Sequence, residues 1–161
     1  MKLSNSFSLA EMLKSNTALR LGIEEQFSPS KEIINNLTKL SKNVLQPIRD
    51  RLELPLRVTS GYRCEKLNKA IGGSSRSQHV KGEAADVELW IRGEEKNGIL
   101  LDEVINLYFC GAIEFDQLII EYPNSAGVPK WLHISYSDNN RKEVLIAEKV
   151  NGKTVYKKAN T

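Results

Sequence analysis

Histidine is almost missing from this chain, with only His79 and His133 among 161 residues. Cysteine is equally scarce: Cys64 and Cys110 lie far apart in sequence. In a chain made in the cytosol such a pair is expected to stay reduced rather than bridged. No run approaches the roughly 18 consecutive apolar residues of a membrane helix, which excludes membrane insertion by one. The opening stretch Met1–Ser8 has no apolar segment of signal-peptide length, so the expected product is soluble and cytoplasmic as synthesised. Internal repeats, low-complexity tracts and linkers are also absent, which predicts one domain over 1–161. There is no basic stripe with interleaved aromatics, and this argues against a nucleic-acid partner. The formal charge of +3, from 23 basic and 20 acidic residues, suits an anionic polymer without specifying one.

What is present is ordinary for a globular protein, at 40% hydrophobic and 27% charged residues. Ser8-Leu9-Ala10-Glu11 has the capping-box pattern and predicts a short helix. A second helical turn is expected over Asn16–Arg20, closed by Gly22. Ser28-Pro29 predicts the start of a longer helix, with Ile34, Leu37, Val44, Ile48 and Leu52 at helical spacing and Pro47 kinking or splitting it. A short helix from Glu65 to Ile71 is expected to stop at Gly72-Gly73. Another, from about Glu95 to Tyr108, should turn Ile99, Leu100, Val104 and Leu107 inward. Strands are expected at Pro55–Thr59, Ala84–Trp90, Phe115–Glu121, Trp131–Tyr136 and Glu143–Val150. Asn151-Gly152 predicts a tight turn closing a C-terminal hairpin over 143–157. Helices first and strands mostly later imply an α+β fold, with helices packed on a central antiparallel sheet.

The two histidines sit in segments that could hold a metal. His79 lies in Ser77-Gln78-His79-Val80-Lys81-Gly82-Glu83-Ala84-Ala85-Asp86, and His133 in Trp131-Leu132-His133-Ile134-Ser135. Alternate strand residues share a face. Ala84, Asp86 and Glu88 therefore face one way, and so do His133 and Ser135, opposite Leu132 and Ile134. Two imidazoles and a carboxylate form a catalytic zinc set with an open position for water. Gly82 would let the loop turn sharply and return His79 to that point. Two isolated histidines also fit plain surface or core positions, and Cys64 is a minor alternative ligand. Cys110, within Leu107-Tyr108-Phe109-Cys110, reads as core.

Several blocks together resemble the zinc D-Ala-D-Ala carboxypeptidase family, which includes bacterial cell-wall peptidases and phage endolysins. They are Ser60-Gly61-Tyr62-Arg63, Leu67-Asn68, Ile71-Gly72-Gly73, Ser77-Gln78-His79 through Gly82 to Ala85-Asp86, Phe115-Asp116-Gln117-Leu118-Ile119-Ile120-Glu121, and Trp131-Leu132-His133. The likeness covers about residues 7–137 and implies a hedgehog/DD-peptidase-like fold. It also implies Zn2+ as cofactor, with His79, Asp86 and His133 as its ligands. Many relatives carry an acid three residues before the last histidine, where this chain has Lys130. Glu121 is therefore the implied general base, with Asp116 in reserve. Arg63 is implied to bind the substrate carboxylate or the oxyanion, while Asn68 and Ser77 support substrate binding or brace the loops.

The implied activity is zinc-dependent hydrolysis of peptidoglycan peptides by a monomer, as a carboxypeptidase or an endolysin-type endopeptidase. Such an enzyme acts on the wall once released, and a phage or prophage origin fits the missing leader. The alternative is a non-catalytic zinc-binding or phage structural module on the same fold.

Overall fold

The computed structural model describes residues 1–159. Seven strands form one sheet: β1 (Leu56–Ser60), β2 (Ala84–Ile91), β3 (Glu94–Glu95), β4 (Gln117–Glu121), β5 (Trp131–Ser135), β6 (Glu143–Val150) and β7 (Lys153–Lys158). Their order is β1-β2-β5-β4-β6-β7, with β3 pairing only β2. All neighbours run antiparallel except β4 and β6, which are parallel. The expected α+β architecture is present, and that parallel pair is the departure from a wholly antiparallel sheet. It arises because the chain leaves β4, returns along β5, and crosses through 136–142 to start β6 beside β4.

Helices pack against the sheet and against one another. They are α1 (Leu9–Leu13), α2 (Asn16–Leu21), α3 (Lys31–Leu40), α4 (Gln46–Leu52), α5 (Glu65–Ala70) and α6 (Asn97–Phe109). Leu37, Leu40, Val44, Leu45 and Ile48 from the long helical segment join Leu100, Val104 and Leu107 of α6 in the core. They meet the alternate strand residues Ala85, Val87, Leu89, Leu118, Leu132 and Ile134. Period-2 alternation then leaves Asp86, Glu121 and His133 on the other face.

The local signals hold in most places. Ser8 and Glu11 form the reciprocal capping box. Asn151 and Gly152 both have positive φ, 51° and 76°. A type I′ hairpin turn requires that of both central residues. Elsewhere the structure differs from expectation. α3 begins at Lys31 behind a Ser30 cap, because the Ser30 hydroxyl takes the Ile33 N–H and leaves Pro29 outside the helix. Near Pro47 the long helical run is split, as expected, but the break lies ahead of the proline, which sits in the first turn of α4. A π turn at Ser41–Leu45, with the Gln46 N–H bonded to the Ser41 carbonyl, absorbs one residue and lets helical backbone run on to Leu52. Ile99 is 47% exposed rather than inward, because it lies in the first turn of α6, away from the Leu100–Val104–Leu107 stripe. Cys110 is exposed rather than core, since α6 ends at Phe109 and Cys110 caps it at the surface.

One ionic clamp ties the start of β4 to the loops around the open face. The buried Asp116 carboxylate accepts from Arg141 Nε and Nη2 at 3.0 and 2.7 Å, from the Arg141 backbone N–H at 2.8 Å, and from Gln78 Nε2 at 2.9 Å. These donors, Arg141 foremost, hold its pKa below the ordinary aspartate value. A depressed folded pKa means the stabilisation is complete above the unfolded value, about 3.9, and is lost as pH falls below it. Asp116→Asn is expected to lower unfolding free energy by about 1–3 kcal/mol at pH 7. Urea denaturation from pH 7 to pH 3 should show the two proteins converging in stability at the acid end.

Candidate metal centre

The site is built by strand pairing and one turn. β2 and β5 pair with Asp86 directly opposite His133, so both side chains rise from the same face at one point. The third group comes from a 3₁₀ turn, Gln78–Lys81, just before β2. Ser77 caps that turn by accepting the His79 N–H at 3.3 Å. Gly82 closes it with φ at 70°, in the left-handed region that glycine adopts freely. A Cβ there would also strike the Ile33 carbonyl at 2.9 Å. The three side chains converge: one nitrogen from each imidazole and one Asp86 oxygen all lie within 4.8 Å of one another.

The electrostatics of that convergence are unbalanced without a cation. His79 is 2% exposed, and its Nδ1 lies 2.7 Å from the Gly61 carbonyl, an acceptor. Nδ1 must therefore carry the proton, which leaves Nε2 with a bare lone pair. That lone pair sits 3.3 Å from Asp86 Oδ1, and among the described residues the buried Nε2 has no hydrogen-bond partner. His133 Nδ1 approaches the same oxygen at 3.1 Å. Burial lowers the His79 pKa, against the opposing pull of Asp86, and so favours the neutral ring. Burial disfavours ionisation of Asp86, but positive charge on the imidazoles and donation from them to its carboxylate pull its pKa well below the usual carboxylate range. Donors on zinc at bonds of about 2.0–2.1 Å stand roughly 3.3 Å apart in tetrahedral geometry. The donor set thus fits a divalent zinc-like ion in chemistry, and the two imidazole–Asp86 separations, 3.3 and 3.1 Å, match that spacing.

Around the triad lies an open cleft of about 650 Å³ whose lining includes Arg63, Ser77, Glu121 and Trp131. Glu121 ends β4 opposite Trp131 and is 7% exposed. No hydrogen bond holds its carboxylate among the described residues. Burial pushes its pKa up to about 7, with His133 opposing and Asp86 adding to the rise. Arg63 places a buried, unpartnered Nε at the cleft, and burial lowers its pKa against the pull of Asp86. Its charge persists at neutral pH all the same.

Other residues singled out in the sequence have supporting places. The Asn68 amide donates to the Ser74 carbonyl at 2.8 Å and braces the 71–77 loop from beneath, away from the cleft lining. Asp116 is saturated by its clamp and does not line the cleft. The Cys64 sulfur caps α5 by accepting the Leu67 N–H, so it points away from ligation. Lys130 places its ammonium over the Tyr122 ring, 5.9 Å from the centroid.

Two supports are not visible in the sequence. Buried Gln26 donates to the carbonyls of Leu13 and Tyr62 and accepts the Cys64 N–H at 2.8 Å, fixing the backbone on both sides of Arg63. Gln78 links the turn bearing His79 to Asp116. A buried glutamine carries no periodic or motif signal, and only the packed fold exposes its role.

A sequence model of the family described as Peptidase M15 matches residues 5–100, a span that includes Arg63, His79 and Asp86 and ends before His133. No match was found among curated proteins.

Zinc titration is expected to raise the melting temperature, with about 2.7 kcal/mol of added stability at a hundredfold excess over Kd. Each of His79→Ala, Asp86→Ala and His133→Ala should abolish that rise in a thermal-shift measurement. Gly61 supplies a subtler check, because a Cβ there would lie 2.5 Å from the Met12 carbonyl oxygen. Gly61→Ala must displace the carbonyl that orients His79, and zinc affinity measured by competition with a chelator is expected to fall about 10–100-fold.

Proposed function

The chain belongs to the Peptidase M15 family, and from that premise we propose that it hydrolyses peptide bonds of bacterial cell-wall peptidoglycan. The family is one of zinc-dependent, D-Ala-D-Ala carboxypeptidase-type metallopeptidases. The observation that carries the reading for this chain is the buried His79 lone pair aimed at Asp86 beside His133, an arrangement that a cation completes. His79, Asp86 and His133 are the proposed ligands, and zinc the proposed ion. Zinc held there supplies Lewis acidity and a water acidified to a pKa of about 7.

The remaining work falls to side chains of this protein. Glu121 stands in the same cleft with a carboxylate free of hydrogen bonds and a pKa near neutrality, the condition for a general base and acid. In the proposed mechanism one of its oxygens accepts the proton of the attacking water and later delivers it to the leaving amide nitrogen. Gln26 and the Arg63 N–H bond to the His79 carbonyl at 3.1 Å fix the backbone around Arg63, whose side chain lines the cleft. The Arg63 guanidinium pairs with the substrate carboxylate or with negative charge developing on the attacked carbonyl oxygen. Ser77 and Asn68 keep the 71–77 loop and its turn in place beside the substrate. The substrate proposed is a wall peptide with a D-residue at the cut bond, reached after the protein is released to the wall.

Lys130 favours one competing reading, a zinc-binding module without hydrolysis, because it puts a cation three residues before His133, where the family resemblance implies an acid in many members. Mass spectrometry of purified peptidoglycan treated with the zinc-loaded protein separates the two. A defined new peptide terminus supports hydrolysis, and an unchanged digest supports the binding module. Glu121→Gln is expected to retain a full equivalent of zinc while turnover falls by about 10²–10⁴-fold. Arg63→Ala should cost about 10²–10³-fold in the same assay. Unchanged turnover in either variant would remove that residue from the mechanism.

A further inference from the structure

The cleft floor continues beyond the metal centre and Glu121. β6 runs beside β4 and β7 beside β6, so the sheet continues two strands past the site. The cleft-facing register carries a row Trp131–Glu121–Ala147–Tyr156 and a neighbouring row His133–Ile119–Leu145–Lys158. Both rows begin at the site and end on the C-terminal hairpin, outside the residues matched by the family.

The chemistry of that part differs from the rest. Most of the lining is polar or charged, and Ile119 and Leu145 are the aliphatic side chains that line the cleft. They lie side by side one row from Glu121. Tyr156 stands at the rim, 55% exposed. Ala147, between Glu121 and Tyr156 in the register, is fully buried. The Tyr122 hydroxyl is tied to Thr154 at 2.6 Å, whereas no hydrogen bond among the described residues holds that of Tyr156. Burial, and then the charge of Glu121, raise the Tyr156 pKa, so the phenol is a donor at neutral pH.

We propose that Ile119, Leu145 and Tyr156 form a side-chain subsite that takes an aliphatic residue next to the cut bond, with Tyr156 its specificity-determining residue. The proposal rests on the peptidase reading. An aliphatic side chain set on Ile119 and Leu145 buries apolar area on both partners. The Tyr156 hydroxyl donates to a carbonyl of the substrate backbone and holds the chain over that floor.

Trp131 lines the cleft and Trp90 does not, so Trp90→Phe leaves a fluorescent reporter at the site. In this background the zinc-loaded protein is mixed in stopped flow with acetylated tripeptides ending in D-Ala, carrying glycine, alanine or leucine before it. The binding phase is read before turnover. The leucine peptide is expected to bind at least about tenfold tighter than the glycine peptide. Leu145→Asn and Tyr156→Ala should each cut that ratio below about threefold, while Tyr156→Phe weakens all three peptides alike and keeps the ratio. Zinc content and melting temperature establish that each variant is folded. Equal binding of the three peptides, no binding at all, or a ratio that survives both Leu145→Asn and Tyr156→Ala would overturn the subsite. Wild-type discrimination without any wall hydrolysis would leave the subsite standing and remove only the peptidase reading.

Discussion

Antiparallel pairing of β2 with β5 sets Asp86 against His133, and the chemistry of the molecule depends on that register. A slip of one residue would turn both side chains into the apolar layer under the helices and bring Val87 or Ile134 to the open face. The register is therefore fixed by the core. Ala85, Val87, Leu132 and Ile134 are fully buried on the far side of the same two strands, and none can exchange places with a charged neighbour. The hydrophobic effect positions the polar residues by leaving them nowhere else to point.

The third member of the cluster depends on different parts of the chain. His79 is aimed by the Gly61 carbonyl, and Gly61 is pressed against the Met12 backbone at the end of α1. Gln26 holds the adjoining 62–64 segment, and Tyr62 donates its N–H to the Met12 carbonyl at 2.8 Å. The short N-terminal helices thus act on the site through backbone contacts that close behind Gly61. The Asp116–Arg141 clamp does the same from the other end, holding Gln78 and the loop that leads into β6. Glu121 is left without such support. Its buried, unbonded carboxylate is a stability cost that a general base would justify.

Strand parity puts Asp86 and His133 on polar strand faces, and the family resemblance implies that they meet His79 at one ion; the β2–β5 pairing that brings them together is read from the fold. The capping box at Ser8 and the Asn151-Gly152 hairpin are equally legible, because each is a local rule with a local cause. Long-range features are not. The parallel β4–β6 pairing depends on which strand edge the chain reaches after β5, and no residue near Glu143 encodes that. The exposure of Ile99 and Cys110 turns on where α6 begins and ends, which periodicity places only to within a residue or two. The π turn before Pro47 is hidden because proline signals a problem in a helix without saying how the backbone solves it. Gln26 and Tyr156 carry no signal for a related reason: their places are set by packing between segments far apart in sequence.

A zinc-soaked crystal probed by anomalous scattering at the zinc edge measures the central arrangement directly. The account predicts one strong peak bounded by His79 Nε2, the Asp86 carboxylate and a nitrogen of His133, with Gly61 still accepting from His79 Nδ1. Zinc found only at other positions, or a triad that stays empty at saturating metal with its side chains turned apart, would contradict it.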